Sequence, residues 1–232
     1  MKLGQHIFFY CILIILLIRP LMLFLSSLST SHTMDAPTKS TMTFAILLTS
    51  YMEESRREMY NTNIMRWLNE SPFDIYVVDS SGLGTFHFSH PRLQFFSFLQ
   101  KQCIAQVTQS VLEADSIVRA LENFALSDSN CDLVFKVTGK YFIPDFLHHT
   151  KDIPKGTEAV FQSIFSQSWQ NSECFGMKPS LMKSSMSMIG RVLMEEHLSE
   201  LLKQNKWQIF RLEPLPLDRK IPRNDGSILP HL

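Results

Sequence analysis

The chain has no excess charge of either sign: 22 lysines and arginines are matched by 22 aspartates and glutamates. Without a field of one sign there is nothing to steer a nucleic acid or an acidic polymer, so any anion site must be local. Cysteine is scarce as well. Of the 4 present, Cys11 falls in an apolar amino-terminal stretch. That leaves Cys103, Cys131 and Cys174, an odd number compatible with three buried thiols or with one disulfide and one free thiol. No C-x-x-C occurs, which removes a structural zinc site and a dithiol redox motif. G-x-S-x-G, G-x-x-x-x-G-K-[ST] and G-x-G-x-x-G are all missing, and with them the signatures of serine hydrolases, P-loop enzymes and dinucleotide binders. His197 stands in neither an H-x-x-x-H nor an H-E-x-x-H pattern. No internal repeat appears, and the one biased tract is the Ser/Thr-rich segment at residues 29–42.

What is present is an ordinary globular composition, 45% hydrophobic over 232 residues, enough for one domain with a substantial core. The amino end is separate from that domain. Residues 7–28 are almost unbroken hydrocarbon, preceded by Lys2, with Arg19-Pro20 as the one interruption. Spanning a bilayer needs about 20 apolar residues, so this stretch suffices if Arg19 snorkels to an interface. The expected organisation is a short cytoplasmic tail (1–6), a signal anchor or transmembrane helix (7–28), a stem (29–42) and a domain (43–232). A cleaved signal peptide is the rival, because the first run, Ile7 to Ile18, has the length of a signal h-region. Either route delivers the domain to the secretory lumen, as a single-pass type II membrane protein of the Golgi or endoplasmic reticulum or as a secreted protein.

Within the domain, T-F-A-I-L-L-T-S (43–50) reads as a first buried strand, and apolar residues at Met52, Tyr60, Ile64 and Leu68 predict a helix over 53–68. F-D-I-Y-V-V-D (73–79) is a second strand, so a βαβ unit with parallel strands is expected. Ligands of doubly wound sheets sit at the carboxyl ends of strands, which puts Asp79 in a position to bind or merely to cap its turn. Residues 93–99 read as a third strand. Residues 109–125 read as an amphipathic helix, with Glu113 a solvated carboxylate of its polar face. Further strands are expected at 158–165 and 173–177 and a last helix over 191–204, with Glu195 or Glu196 turned inward. The proline-bearing tail from Leu212 reads as an extended arm carrying Arg219, Lys220 and Arg223.

The most informative stretch is C-D-L-V-F-K-V-T-G-K-Y-F-I-P-D-F-L, residues 131–147. Leu133 to Val137 has the apolar, β-branched and aromatic bias of a strand buried on both faces. Lys136 and Lys140 straddle Thr138 and Gly139 where that strand would end, and Pro144-Asp145 opens a short helix. Buried strands rarely carry two cations at their exit unless something anionic is held there.

On these residues the chain resembles nucleotide-sugar-dependent glycosyltransferases of the A-type fold, in particular small glycosyltransferase-like proteins with a similar Lys-Val-Thr-Gly-Lys-Tyr run. The likeness follows the order of elements over 43–230 and reaches motif detail over 109–147. It implies an α/β domain with a single, mostly parallel sheet. In that family the strand commonly ends in an Asp-x-Asp element that carries a metal and the donor diphosphate. Here the slot reads Val137-Thr138-Gly139-Lys140-Tyr141. The resemblance also implies that a strand-terminal Asp79 holds the base or ribose of the nucleotide, that Glu113, on a helix start similar to the family's, touches substrate where it is not solvated, and that Phe175-Gly176 lies near the donor sugar.

Sugar transfer places growing negative charge on the leaving diphosphate, and without a metal the protein's own cations must meet it. The expected donor-binding residues are Asp79, Lys136, Thr138, Gly139, Lys140 and Arg223, with Arg219 and Lys220 as further basic candidates and Gly139 admitting a phosphate close to the backbone. Lys136, Thr138 and Lys140 share one face if the chain stays extended through Gly139. A carboxylate or histidine must take the acceptor's proton. Among Asp145, Glu173, Glu195, Glu196 and His197, the expected catalytic pair is Glu196 and Asp145. No metal and no other cofactor is expected. The expected partners are a nucleotide-sugar donor, a glycan, protein or lipid acceptor, and a membrane through residues 7–28. The alternative is a fold relative without catalysis, serving as a lumenal binding or scaffolding protein.

Overall fold

The computed structural model of the chain describes residues 42–83, 89–100, 108–163, 169–222 and 228–231. They belong to one compact unit, Met42–Leu232. The expected anchor and stem lie outside the described residues. Among the described residues no helix is long and apolar enough to cross a membrane.

The centre is a seven-stranded sheet in the order β3-β2-β1-β4-β6-β5-β7. Its strands are β1 (Phe44–Ser50), β2 (Asp74–Asp79), β3 (Leu93–Ser97), β4 (Leu133–Thr138), β5 (Ala159–Gln162), β6 (Cys174–Met177) and β7 (Ile209–Leu212). Only β6 runs against its neighbours β4 and β5; the other pairs are parallel. The sheet is therefore mixed and mostly parallel.

Helix α1 (Arg57–Glu70), entered through a 3-10 turn at Glu54–Arg56, crosses from β1 to β2. Helix α2 (Gln109–Asn123) crosses from β3 to β4. Alternation along the strands assigns each face its own core. Ile46, Leu48, Ile75, Val77, Phe135 and Val137 pack with Tyr60, Ile64 and Trp67 of α1 and with Phe146 of the short α3 (Phe146–Thr150). Ala45, Leu47, Val78 and Val134 pack with Ala114, Ile117 and Leu121 of α2 and with Met182, Met186 and Leu198. The last three come from α4 (Pro179–Ser187) and α5 (Met194–Gln204). Burial on both faces is why β1, β2 and β4 read as unbroken apolar runs.

Three local devices fix this arrangement. Arg92, just before β3, donates to the carbonyls of Ser71 (2.8 Å), Phe73 (2.6 Å) and Leu68, so it closes the carboxyl end of α1 where carbonyls lack helical partners. Gly176 in β6 lies opposite Phe135, and a Cβ there would stand 2.7 Å from the ring. Asp128 accepts from Ser180 N (2.9 Å) and Ser180 Oγ (2.6 Å), serving as the cap that α4 lacks in its own sequence.

Helix α4 was not expected. K-P-S-L-M-K-S-S-M offers Met182 and Met186 as its only apolar residues one turn apart on the buried face, and Pro179 stands at its first turn, where proline is tolerated. The last helix starts later than expected and buries Met194, Leu198, Ser199 and Leu201, leaving Val192 exposed. The tail is extended, as β7 and as an antiparallel pair of β8 (Pro216–Pro222) with β9 (Ile228–His231). Cys131 and Cys174 are both buried free thiols, and Cys103 lies outside the described residues.

Candidate functional site

The strand order reverses between β1 and β4: the chain builds outward through β2 and β3, then returns to the other side of β1. Loops leaving two such strands diverge and open a crevice at their carboxyl ends. Thr49 and Thr138, register partners at the ends of β1 and β4, stand there. Both crossover helices start at this rim, so their amino ends contribute Arg56 and Tyr60 before and within α1, and Gln109, Glu113 and Ser116 from α2. Because β6 runs antiparallel, its amino end also lies at this rim and brings Ser172 and Glu173. The result is a cleft of about 240 Å³ that also takes in Tyr51, Ser80, Gln100 and Lys140. Two cations, two carboxylates and a ring of hydroxyls and amides form its walls.

Beneath the cleft lies an ionic network. Lys136 is fully buried, and its ammonium donates to Glu113 Oε1 (2.7 Å), Thr138 Oγ1 (3.0 Å) and the Ser172 carbonyl (2.6 Å). A lysine has three N–H donors, and all are committed. Glu113 Oε1 also accepts from Thr49 Oγ1 at 3.0 Å. Ser172 Oγ in turn donates to Glu195 Oε1 at 2.5 Å. Lys136 therefore differs from the donor-contacting cation expected of it: its charge is turned inward onto Glu113, with no hydrogen left for a ligand.

Lys140 is different. The chain turns after Thr138, with Tyr141 N donating to the Thr138 carbonyl (3.0 Å), so the strand does not extend through Gly139. Lys140 leaves the face shared by Lys136 and Thr138 and comes to the cleft wall, 37% exposed. Its ammonium is 3.6 Å from Glu173 Oε1 and 4.8 Å from the centre of the Tyr141 ring. Gly139 is required for packing: its N–H donates to the Thr49 carbonyl (2.8 Å), and a Cβ would meet that oxygen at 3.0 Å and the Tyr60 ring at 3.2 Å. What comes close to Gly139 is thus Tyr60 and β1, where a phosphate was expected. Thr138 lines the cleft while accepting from Lys136.

Asp79 is wholly buried and does the work of a turn organiser. Oδ1 accepts from Met52 N (2.9 Å) and Ser81 N (3.3 Å), and Oδ2 from Ser81 Oγ (2.7 Å) and Ser97 Oγ (2.9 Å). With both oxygens engaged it ties the ends of β1, β2 and β3 together, which is the capping alternative. Phe175 is buried against Phe161, and Gly176 makes room for Phe135, so that pair belongs to the sheet interior and not to the cleft.

Neither expected catalytic carboxylate lines the cleft. Asp145 is exposed in left-handed backbone, φ 50°, ahead of α3, whose Phe146 packs on Phe73 and Phe135 toward the amino ends of the strands. Glu196 is exposed in the first turn of α5, where it accepts from Leu193 N at 3.4 Å and caps the helix. The inward carboxylate of that helix is Glu195. Arg223 lies outside the described residues, and Arg219 and Lys220 fall within β8. Among the described residues no group of three or more His, Cys, Asp or Glu side chains is arranged to hold a metal ion.

A larger cavity, about 410 Å³, opens at the opposite end of the strands between Thr43, Phe73, Asp74, Tyr76 and Cys131. It has no cationic wall, so it offers nothing to an anionic ligand. Burial pushes the Cys131 thiol up to about 11, and pushes that of Cys174 up to about 12 against the partial opposition of Lys136. Both thiols are protonated and unreactive at neutral pH.

No protein-family model matches the chain, and no curated protein matches it in sequence. Several solved structures align with the chain at low identity. A glycosyltransferase involved in the glycosylation of the major capsid of PBCV-1 aligns over 73% of this chain and 81% of its own, at 7% identity and a TM-score of 0.47. A cytidylyltransferase from Leptospira borgpetersenii aligns over 73% and 75%, at 12% identity and a TM-score of 0.45. The mannosyltransferase PcManGT from Pyrobaculum calidifontis, solved with GDP-Man and Mn2+, aligns over 77% of this chain and 58% of its own, at 14% identity and a TM-score of 0.45. Likenesses this distant leave the fold to be read from the strand order and the chemistry from the cleft.

Proposed function

We propose that the protein is a glycosyltransferase that moves a sugar from a nucleotide-sugar donor to a glycan, protein or lipid acceptor in the cleft at the carboxyl ends of β1 and β4. One observation carries this reading. A polar cleft sits where the strand order reverses, with the amino ends of two crossover helices and the cations Arg56 and Lys140 converging on it. Helix amino ends and cations both favour a phosphate, and the fold brings them to the walls of one cleft from the two faces of the sheet. The Val137-Thr138-Gly139-Lys140-Tyr141 run supports the reading from the sequence side.

The donor diphosphate lies against Lys140, which exchanges its loose, half-exposed contact with Glu173 for a phosphate oxygen. Negative charge that develops on the leaving group is met by that ammonium and by Arg56. Lys140 takes the place of the metal that an Asp-x-Asp element would carry, so activity persists in excess EDTA. Residues 7–28 hold the domain at a bilayer with its cleft facing the secretory lumen.

Thermal-shift and calorimetric titration of the full-length protein with UDP- and GDP-sugars, with and without Mn²⁺, decides between outcomes. Saturable, metal-independent binding with release of nucleoside diphosphate supports transfer. Binding without turnover across donors and acceptors makes the protein a carbohydrate-nucleotide binding subunit, and absence of binding removes the reading altogether.

A further inference from the structure

Glycosyl transfer as outlined leaves the buried ammonium of Lys136 without a task. Fully enclosed and with every N–H committed, it cannot touch a ligand. Nor is a buried ion pair a strong source of stability, since taking two charges out of water offsets most of their attraction. What Lys136 does achieve is to fix one atom of a side chain in the cleft. Glu113 Oε1 is held by Lys136 Nζ at 2.7 Å and by Thr49 Oγ1 at 3.0 Å, one from β4 and one from β1. Oε2 receives no hydrogen bond from any described residue, and the side chain stays 21% exposed among the cleft walls. One oxygen is tethered and the other is presented.

We propose that Glu113 Oε2 is the group that takes the proton of the acceptor hydroxyl, with Lys136 and Thr49 as positioning residues; this rests on the glycosyl-transfer reading above. The acceptor oxygen forms its bond to the anomeric carbon as the bond from that carbon to the β-phosphate oxygen breaks. The electron pair of the broken bond leaves with the nucleoside diphosphate toward Lys140 and Arg56. The hydroxyl proton passes to Oε2 and later to solvent. Because Oε1 already accepts two hydrogen bonds, the proton has one destination. Locking a side chain's rotamer through buried partners is what places a reacting atom within hydrogen-bond reach.

The charged and titratable groups around Glu113 are Lys136 beneath it, Lys140 and Glu173 at the rim, Arg56 and Tyr60 on the α1 side, and Glu195 behind Ser172. A pH profile separates Glu113 from these neighbours only when it is compared between the native protein and a variant. Glu113→Gln is the informative change, because its amide oxygen still accepts from Lys136 and Thr49 while the second oxygen becomes an N–H₂ that cannot take a proton.

The experiment measures release of UDP or GDP from a panel of UDP- and GDP-sugars by full-length protein, with water as acceptor, across pH. The expected result for Glu113→Gln is a kcat lower by about 10² to 10⁴, the range of general-base catalysis, and loss of the acid limb of the profile. Its affinity for UDP or GDP stays within about twofold, the scatter of a neutral substitution. Lys136→Met, which keeps the carboxylate but frees it, lowers kcat by about tenfold or more with the donor KM unchanged and moves the acid limb without abolishing it. This second variant decides the question if Glu113→Gln does not fold. An unchanged kcat with an acid limb retained in Glu113→Gln, or with an acid limb unshifted in Lys136→Met, overturns the assignment while glycosyl transfer stands. A native protein that neither binds UDP or GDP nor turns over any donor overturns both.

Discussion

Lys136 and Lys140 stand four positions apart on one strand and the turn that ends it, and the two ammonium groups meet opposite conditions. Lys136 stays in the extended run, points to the α2 face and is enclosed with Glu113, Thr138 and the Ser172 carbonyl around it. Lys140 follows the turn at Gly139, reaches the cleft and holds Glu173 only loosely at 3.6 Å. A cation enclosed in a core must commit every donor to protein acceptors, whereas a cation that is to receive a ligand must keep donors available in solvent. The first organises the site and the second serves it.

That contrast can be broken most directly through stability. Glu113→Ala strands a fully buried ammonium, and chemical unfolding should show a loss of about 3–5 kcal/mol, the range for removing one partner of a buried pair. Lys140→Ala removes only a half-exposed contact, and the same measurement should move by no more than about 1 kcal/mol. Equal losses in the two variants would erase the distinction between core cation and site cation.

Affinity should reverse the order. Lys140→Ala is expected to weaken UDP or GDP binding by about tenfold or more, the loss of one charge-assisted hydrogen bond, while Lys136→Met leaves it within about twofold. Calorimetric titration reads both, and a larger loss in Lys136→Met than in Lys140→Ala would assign the ligand to the wrong cation.

The smallest effect concerns the thiol beside Lys136. In the fold, burial pushes the Cys174 thiol up to about 12 and that of Cys131 up to about 11, from 9.0 for an unperturbed thiol. A raised folded value means that the stabilising contribution is complete below about pH 9 and is lost as pH rises toward 11 and 12, because only the unfolded chain releases these protons. Melting temperature should fall over that window. Lys136→Met should push the Cys174 thiol higher still, since the ammonium partly offsets its burial, and Cys131, raised by burial together with the charges of Asp132 and Asp128, should not respond. Thiol titration with a colorimetric disulfide reagent at alkaline pH distinguishes the two.

Much of the sheet was legible in the sequence because strands buried on both faces leave continuous apolar runs, as at Phe44–Ser50, Asp74–Asp79 and Leu133–Thr138. The two crossover helices were legible from their 3.6-residue stripes. Helix α4 was not, because its buried face is only Met182, Ser185 and Met186 together with Pro179, and its cap comes from Asp128, 51 residues before the helix starts. The last helix was legible over 191–204 but begins at Met194, since Val192 precedes it and the buried face is set by Met194, Leu198 and Leu201. Within the site, Lys140 and Thr138 lie in the cleft wall, whereas Asp145 and Glu196 stand elsewhere as exposed residues of helix starts. Glu113 carried a weak signal of its own: a carboxylate one turn into the helix that leads to the lysine-bearing strand.

The sequence alone determined that Lys136 would lie in a buried strand on the same face as Thr138, because a period of two is a property of the extended backbone itself. Only tertiary structure decided that its charge meets Glu113, that Asp79 is saturated by Met52, Ser81 and Ser97, and that the chain turns at Gly139 to send Lys140 elsewhere. Which donor meets which acceptor depends on the lateral order of strands and on where helices begin along the rim, and apart from the local Ser81 bonds to Asp79 the contacts to Met52, Ser97, Glu113 and Ser172 join residues 18 to 36 positions apart.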